Sequence, residues 1–169
     1  MTTVVQTNSN VLTNAYGSNP GLLVSDYFAN YVPRGKEGTV AVTTNDSTTS
    51  QYRFCRVNSG DSPKQILLGS DALGGSCAVK LGLYEVDSTT AAESTTANEA
   101  LFASSVSLVS AVVPTDERFN ALAGNTMGQR IWELLGLSAD PVKEYDLCAT
   151  LTAVAASNGS LSFRYVYTR

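Results

Sequence analysis

With 169 residues, 43% of them hydrophobic and 15% charged, the chain is long enough to bury a core as one domain, under an uncharged polar surface rich in Ser and Thr. A net charge of −4, a pI near 4.7 and the lack of any Lys/Arg run argue against a non-specific nucleic-acid binder, which displaces counterions with a basic stripe. Histidine is absent, so the commonest general base and the commonest zinc ligand are both missing.

Residues 1–32 are Asn/Ser/Thr-rich, with small apolar clusters at Val4-Val5, Val11-Leu12 and Leu22-Leu23-Val24 and a Ser18-Asn19-Pro20-Gly21 turn. The first eight residues lack the basic and apolar regions of a secretory signal, and no run has the length of apolar sequence that spans a bilayer. Tyr27, Phe28 and Tyr31 put three aromatics in five residues. Three readings stand side by side: rings packed into the core, a sugar-stacking platform, or the anchor of an extended arm docked on a neighbouring subunit. We read 1–32 as an N-terminal arm or extended segment and 33–169 as a single β domain.

Arg34-Gly35-Lys36, beside Pro33, reads as a solvated turn. Val40 and Val42 alternate with Ala41 and Thr43, a strand feeding the polar loop 45–50. Residues 51–86 read strand, turn, strand, glycine-rich turn, strand: Tyr52 to Val57, the turn 58–63, Gln65 to Leu68, the Gly74-Gly75 break, then Ala78 to Tyr84. A low-complexity stretch over 87–98 predicts an exposed loop, and 104–109 a further strand. Ile131, Leu134 and Leu135 at helical spacing, closed by Gly136 and Pro141, predict one short helix near 128–135 after an earlier helical turn. Alternation over Tyr145 to Ala153 and Leu161 to Tyr167, around Asn158-Gly159, predicts a closing hairpin with a tight primed turn. Short alternating strands separated by turn signals define an all-β fold: an antiparallel β-sandwich, jelly-roll-like, with one short α-helix and no parallel β-α-β unit.

Nothing in this pattern concentrates chemistry. Cys55, Cys77 and Cys148 are odd in number and lack C-x-x-C spacing; each lies among apolar strand neighbours, which predicts free, buried thiols. No G-x-S-x-G elbow, P-loop or G-x-G-x-x-G occurs. Carboxylate pairs can be drawn among Asp26, Glu37, Asp61, Glu85, Asp87, Glu133 and Asp146, but 15 acidic residues supply such pairs by chance. No catalytic, cofactor-binding or metal-binding residues are assigned and no cofactor is expected, so the chain does not read as an enzyme.

The run Tyr52-Arg53-Phe54-Cys55-Arg56-Val57, then Ser70-Asp71-Ala72-Leu73-Gly74-Gly75 and Leu81-Gly82-Leu83-Tyr84, resembles a family of small structural proteins from the head-gene clusters of tailed bacteriophages. So do Ala100-Leu101-Phe102-Ala103, the stretch Gln129 to Pro141, and Tyr145-Asp146-Leu147 with Leu151-Thr152-Ala153. The similarity covers most of 51–169; residues 1–50 add little. It implies a non-enzymatic virion protein, a cement or decoration protein stabilising the head. Its implied partners are the major capsid protein and itself, as a homotrimer, with no nucleic acid or membrane. Its implied place is the capsid surface, after assembly in the host cytoplasm. Tyr27, Phe28 and Tyr31 are then the candidate assembly contacts. The alternative is a carbohydrate- or receptor-binding β-sandwich module, of a head fibre or tail, with exposed aromatics from Tyr27, Tyr31, Tyr52 or Tyr84.

Overall fold

The computed structural model describes residues 33–44, 46–86 and 96–169. Eight strands make two four-stranded sheets: β1 (Arg34–Val42), β8 (Gly159–Thr168), β3 (Ser62–Ser70) and β6 (Val112–Asp116) in that order, and β2 (Gln51–Asn58), β7 (Glu144–Ala153), β4 (Ala78–Glu85) and β5 (Thr96–Ser107) in the other. Every pair is antiparallel. This is the strand order of a jelly roll, two sheets laid face to face with strands passed alternately between them.

The alternating residues read from the sequence supply the core. Leu161, Phe163, Tyr165 and Tyr167 of β8 and Ile66 and Leu68 of β3 face Tyr145, Leu147, Ala149 and Leu151 of β7 and Val79, Leu81 and Leu83 of β4, all of them buried. Each fully buried Leu, Ile or Val contributes about 2 kcal/mol of transfer free energy. A bulge between Arg53 and Cys55 turns Phe54 inward, where its ring stacks on Phe163 with centroids 4.6 Å apart and ties one sheet to the other.

Four expectations change. Arg34-Gly35-Lys36 is the start of edge strand β1 rather than a turn, because β8 pairs with it from Arg34↔Tyr167 to Val42↔Gly159. The closing hairpin is absent: β7 pairs with β2 and β4, β8 with β1 and β3, and the link between them crosses from sheet to sheet. Gly159 therefore serves packing instead of a tight turn, since a Cβ on it would sit 2.7 Å from Leu73 Cδ2. Residues 96–98 belong to β5, while 87–95 lie outside the described residues. The helix shrinks to one turn, α1 (Ile131–Leu134), preceded by a 3-10 turn at Gly124–Thr126. Glu133 accepts the Arg130 N–H at its start, and Gly136 at φ 72° ends it.

Candidate assembly surface

The aromatic cluster Tyr27, Phe28 and Tyr31 lies outside the described residues. Tyr52 and Tyr84, the other aromatics considered for a sugar platform, are buried. Tyr52 donates its hydroxyl hydrogen bond to Asp46 at 2.7 Å, and the Tyr84 and Thr150 hydroxyls meet at 2.7 Å. Neither ring offers a face to solvent, so neither supplies a stacking platform.

The described charges are spread in pairs rather than converging. Glu37 meets Arg164 at 2.9 Å, Glu85 meets Lys143 at 2.7 Å, Glu99 meets Lys80, and Asp146 lies 3.5 Å from Arg53 and 3.7 Å from Arg56. The exposed pairs among these contribute at most about 1 kcal/mol each, while Asp146 is itself buried. Among the described residues no three His, Cys, Asp or Glu gather to hold a metal ion. The three cysteines are free, as their number and setting predicted. Burial pushes the Cys148 thiol up to about 12, the Cys55 thiol up to about 11, and Cys77 upward as well. Thiols held in the protonated form are poor nucleophiles.

What the fold does build is two unlike ends. At one, the connections β1–β2, β3–β4, β5–β6 and β7–β8 come together around Leu73, which is fully buried although it lies in a loop. Leu73 N–H donates to Leu108 C=O at 2.9 Å, and its carbonyl accepts from Ala156 at 2.8 Å and Ser157 at 3.0 Å. Gly74 N–H reaches Val109 C=O, Ser157 Oγ donates to Ala72 C=O, and Asn158 Oδ1 accepts from Thr44 N–H. Backbone bonds thus fasten the loops to one another. Around this hub Ala72, Gly75, Ser76, Ser110, Ala111 and Ala156 are exposed, with Val109 at 41% and Val154 at 48%.

Among the described residues, Asp46 and Asp71 are the carboxylates of that end, and both accept hydrogen bonds from neighbours. Asp71 accepts from Ser160 N–H and Oγ at 2.9 and 2.7 Å. Asp46 accepts from Thr43 N–H, the Tyr52 hydroxyl and the Thr43 hydroxyl, which together lower its pKa. A depressed folded pKa means that its stabilisation is present above the unfolded carboxylate pKa and is lost as pH falls through the folded one. The melting temperature of the wild type is therefore expected to drop more steeply on acidification below about pH 4 than that of Asp46→Asn. Parallel profiles would show that these bonds carry no linkage.

The opposite end is assembled from the β2–β3 turn and the β6–β7 connection. Ile131 N–H bonds Asp61 C=O at 2.9 Å, Trp132 N–H bonds Ser59 C=O at 3.0 Å, and Ser62 Oγ donates to Gly128 C=O at 3.0 Å. Arg118 is buried beneath this connection; its Nη2 donates to Thr126 C=O at 3.1 Å while its guanidinium stacks 4.1 Å over Phe119. Burial lowers its pKa from the usual arginine value. Met127 and Val142 are the most exposed apolar residues here, and Val142 holds a φ of 51°, a left-handed conformation that costs a β-branched residue about 1–3 kcal/mol. On the outer face of the first sheet, Leu67, Pro114, Ser162, Phe163 and Arg164 line a shallow groove of about 250 Å³. Pro114 reaches it because Gly69 has no Cβ to meet the ring.

Aromatic spacing points to none of the loop valines: Val109 closes the strand-like run 104–109, and its one local signal is the uncharged Ser- and Ala-rich sequence on either side of it.

No protein-family model matches the chain, and no curated protein does. Two solved structures share its fold. A chain from the capsid of Ralstonia phage GP4 aligns with a TM-score of 0.61 at 8% identity, over 83% of this chain and 86% of that one. A chain from the cyanophage Pam1 capsid asymmetric unit aligns with a TM-score of 0.51 at 14% identity, over 80% and 84% respectively. At these identities the likeness is one of fold.

Proposed function

We propose that the chain is a structural protein of a tailed-bacteriophage virion, a cement or decoration protein that binds the outside of the head and stabilises it. The observation that carries this reading is a jelly roll matched over four fifths or more of its length by chains of two phage capsids. Three features support it: described charges dispersed in surface pairs, thiols held protonated, and a rigid loop end with little charge. A protein present in many copies on a shell needs a stiff scaffold and surfaces that meet neighbours without repelling them. Residues 1–32 complete the reading. They carry a single charged side chain, Asp26, and apolar clusters too small for a core of their own, so they act as an arm that takes its order from the shell or a neighbouring copy, with Tyr27, Phe28 and Tyr31 as anchors.

The test uses purified shells. Full-length protein is expected to pellet with them to saturation and to raise their melting temperature. A chain lacking residues 1–32, and with them the three anchors, is expected to keep its own melting temperature while binding at least about tenfold more weakly, the loss of roughly one anchor contact or more. Binding of the full chain that is undetectable at micromolar concentration contradicts the decoration role. Equal binding by the truncated chain contradicts the arm.

A further inference from the structure

Residues 1–32 join the domain at Pro33, at the end opposite Leu73. Arg34, the first residue of β1, pairs with Tyr167, which pairs in turn with Pro63. Two strand spacings therefore separate Arg34 from Pro63, about 10 Å. Beside Pro63, Ser62 Oγ donates to Gly128 C=O at 3.0 Å, next to Met127. The chain thus enters the domain close to the β6–β7 connection. An arm bound to a shell acts as a tether, and it raises the effective concentration of the end it is joined to before that of any other surface.

The same end holds most of the exposed apolar surface. Of the seven large apolar side chains exposed among the described residues, Phe119, Met127, Leu137 and Val142 belong to the β6–β7 connection. Met127 is 73% exposed and Val142 87%, so each offers most of a side chain to a partner. Val142 is held out rigidly. Its N–H donates to Asp140 Oδ1 at 2.9 Å, the buried Ser59 hydroxyl donates to the same oxygen, and Lys143 N–H donates to Ser59 Oγ at 3.1 Å. These bonds maintain a left-handed conformation that valine disfavours, and its exposed side chain repays none of that strain within the chain. Nearby charges pair with one another, Lys143 with Glu85 and Arg56 with Glu144, which leaves apolar contact as what this end has to offer.

We infer that the end carrying Met127 and Val142 faces the shell, with these two side chains entering apolar sockets on its outer surface and the Leu73 end pointing away. The arm supplies the tether and the two side chains the seating. This rests on the decoration reading and adds to it which end of the domain docks.

The experiment is co-sedimentation of full-length variants with purified shells, beside thermal melting of each free protein. Met127→Asn with Val142→Asn is expected to bind at least about tenfold more weakly than wild type. Its melting temperature is expected to stay within about 2 °C or to rise, since asparagine tolerates the left-handed conformation better than valine. Val113→Asn, 80% exposed on edge strand β6, is the control and is expected to leave binding unchanged. Where the double variant melts well below wild type, the single Val142→Asn decides, with an expected loss of about threefold or more. A wild-type chain that fails to bind shells removes the decoration role, and this inference falls with it. With wild-type binding intact, a double variant that binds as tightly, or equal weakening by Val113→Asn, overturns the inference alone. So does a double variant whose oligomeric state without shells, read by sedimentation velocity, departs from that of wild type, which assigns the surface to a second copy instead.

Discussion

Replacing Gly82 with alanine is expected to destabilise the protein by about 3 kcal/mol or more, the upper end of overpacking costs, and to lower its melting temperature by roughly 6–12 °C. Gly82 lies in the middle of β4, where a glycine ordinarily weakens a strand. Its reason is the neighbouring strand. The register between β4 and β5 jumps from Leu81↔Ala103 to Leu83↔Asn98, so β5 spends several extra residues beside Gly82 and humps over it. A Cβ there would lie 2.5 Å from the Glu99 carbonyl oxygen and closer still to the Asn98 one. These are backbone atoms, so relief requires moving the strand rather than a rotamer. The measurement is thermal unfolding of the two proteins side by side. A variant within 2 °C of wild type, less than ~1 kcal/mol, would mean that β5 does not run so close.

The second large effect is Leu73→Ala, expected to cost about 2–5 kcal/mol, as for other fully buried leucines. Leu73 sits in the β3–β4 connection, yet its side chain packs against Gly159 and its backbone holds Leu108, Ala156 and Ser157. The loss should therefore be local as well as global. Amide exchange is expected to quicken at Leu73, Leu108, Ala156 and Ser157 ahead of the central β3–β8 and β4–β7 ladders, because the loops lose the residue that gathers them. A cost below about 1 kcal/mol, or faster exchange spread evenly over both sheets, would remove Leu73 from the centre of that end.

These two residues mark where the sequence is transparent and where it is not. Local periodicity made the strands legible: Leu161 to Tyr167 alternates in the sequence and in burial, whereas Tyr145 to Ala153 alternates in the sequence but is buried without a break from Tyr145 to Leu151. Pairing was opaque, because alternation records which face of a strand is buried and nothing about its neighbour. The Asn158-Gly159 step has the composition of a hairpin turn, but here the chain changes sheets, and only β4 and β5 are consecutive strands in one sheet. A glycine inside an alternating run such as Ala78 to Tyr84 marks a bulge or a close backbone approach, but the partner of Gly82, a bulge in β5, leaves no local trace. The loop surface around Leu73 was harder still. Its residues come from four connections scattered over more than a hundred positions, and their common feature is what they lack, a positive charge.

The reading as a head protein makes one demand that no property of the isolated domain can meet: the chain must be part of the particle in quantity. Quantitative mass spectrometry of purified, density-banded virions addresses it directly, with peptides of this chain counted against those of the shell protein. A decoration protein is expected at a fixed ratio of the order of one copy per shell subunit, as repeated symmetric sites on the shell require. Absence from the particles, or a ratio some hundredfold lower that confines it to a single vertex, would contradict the account.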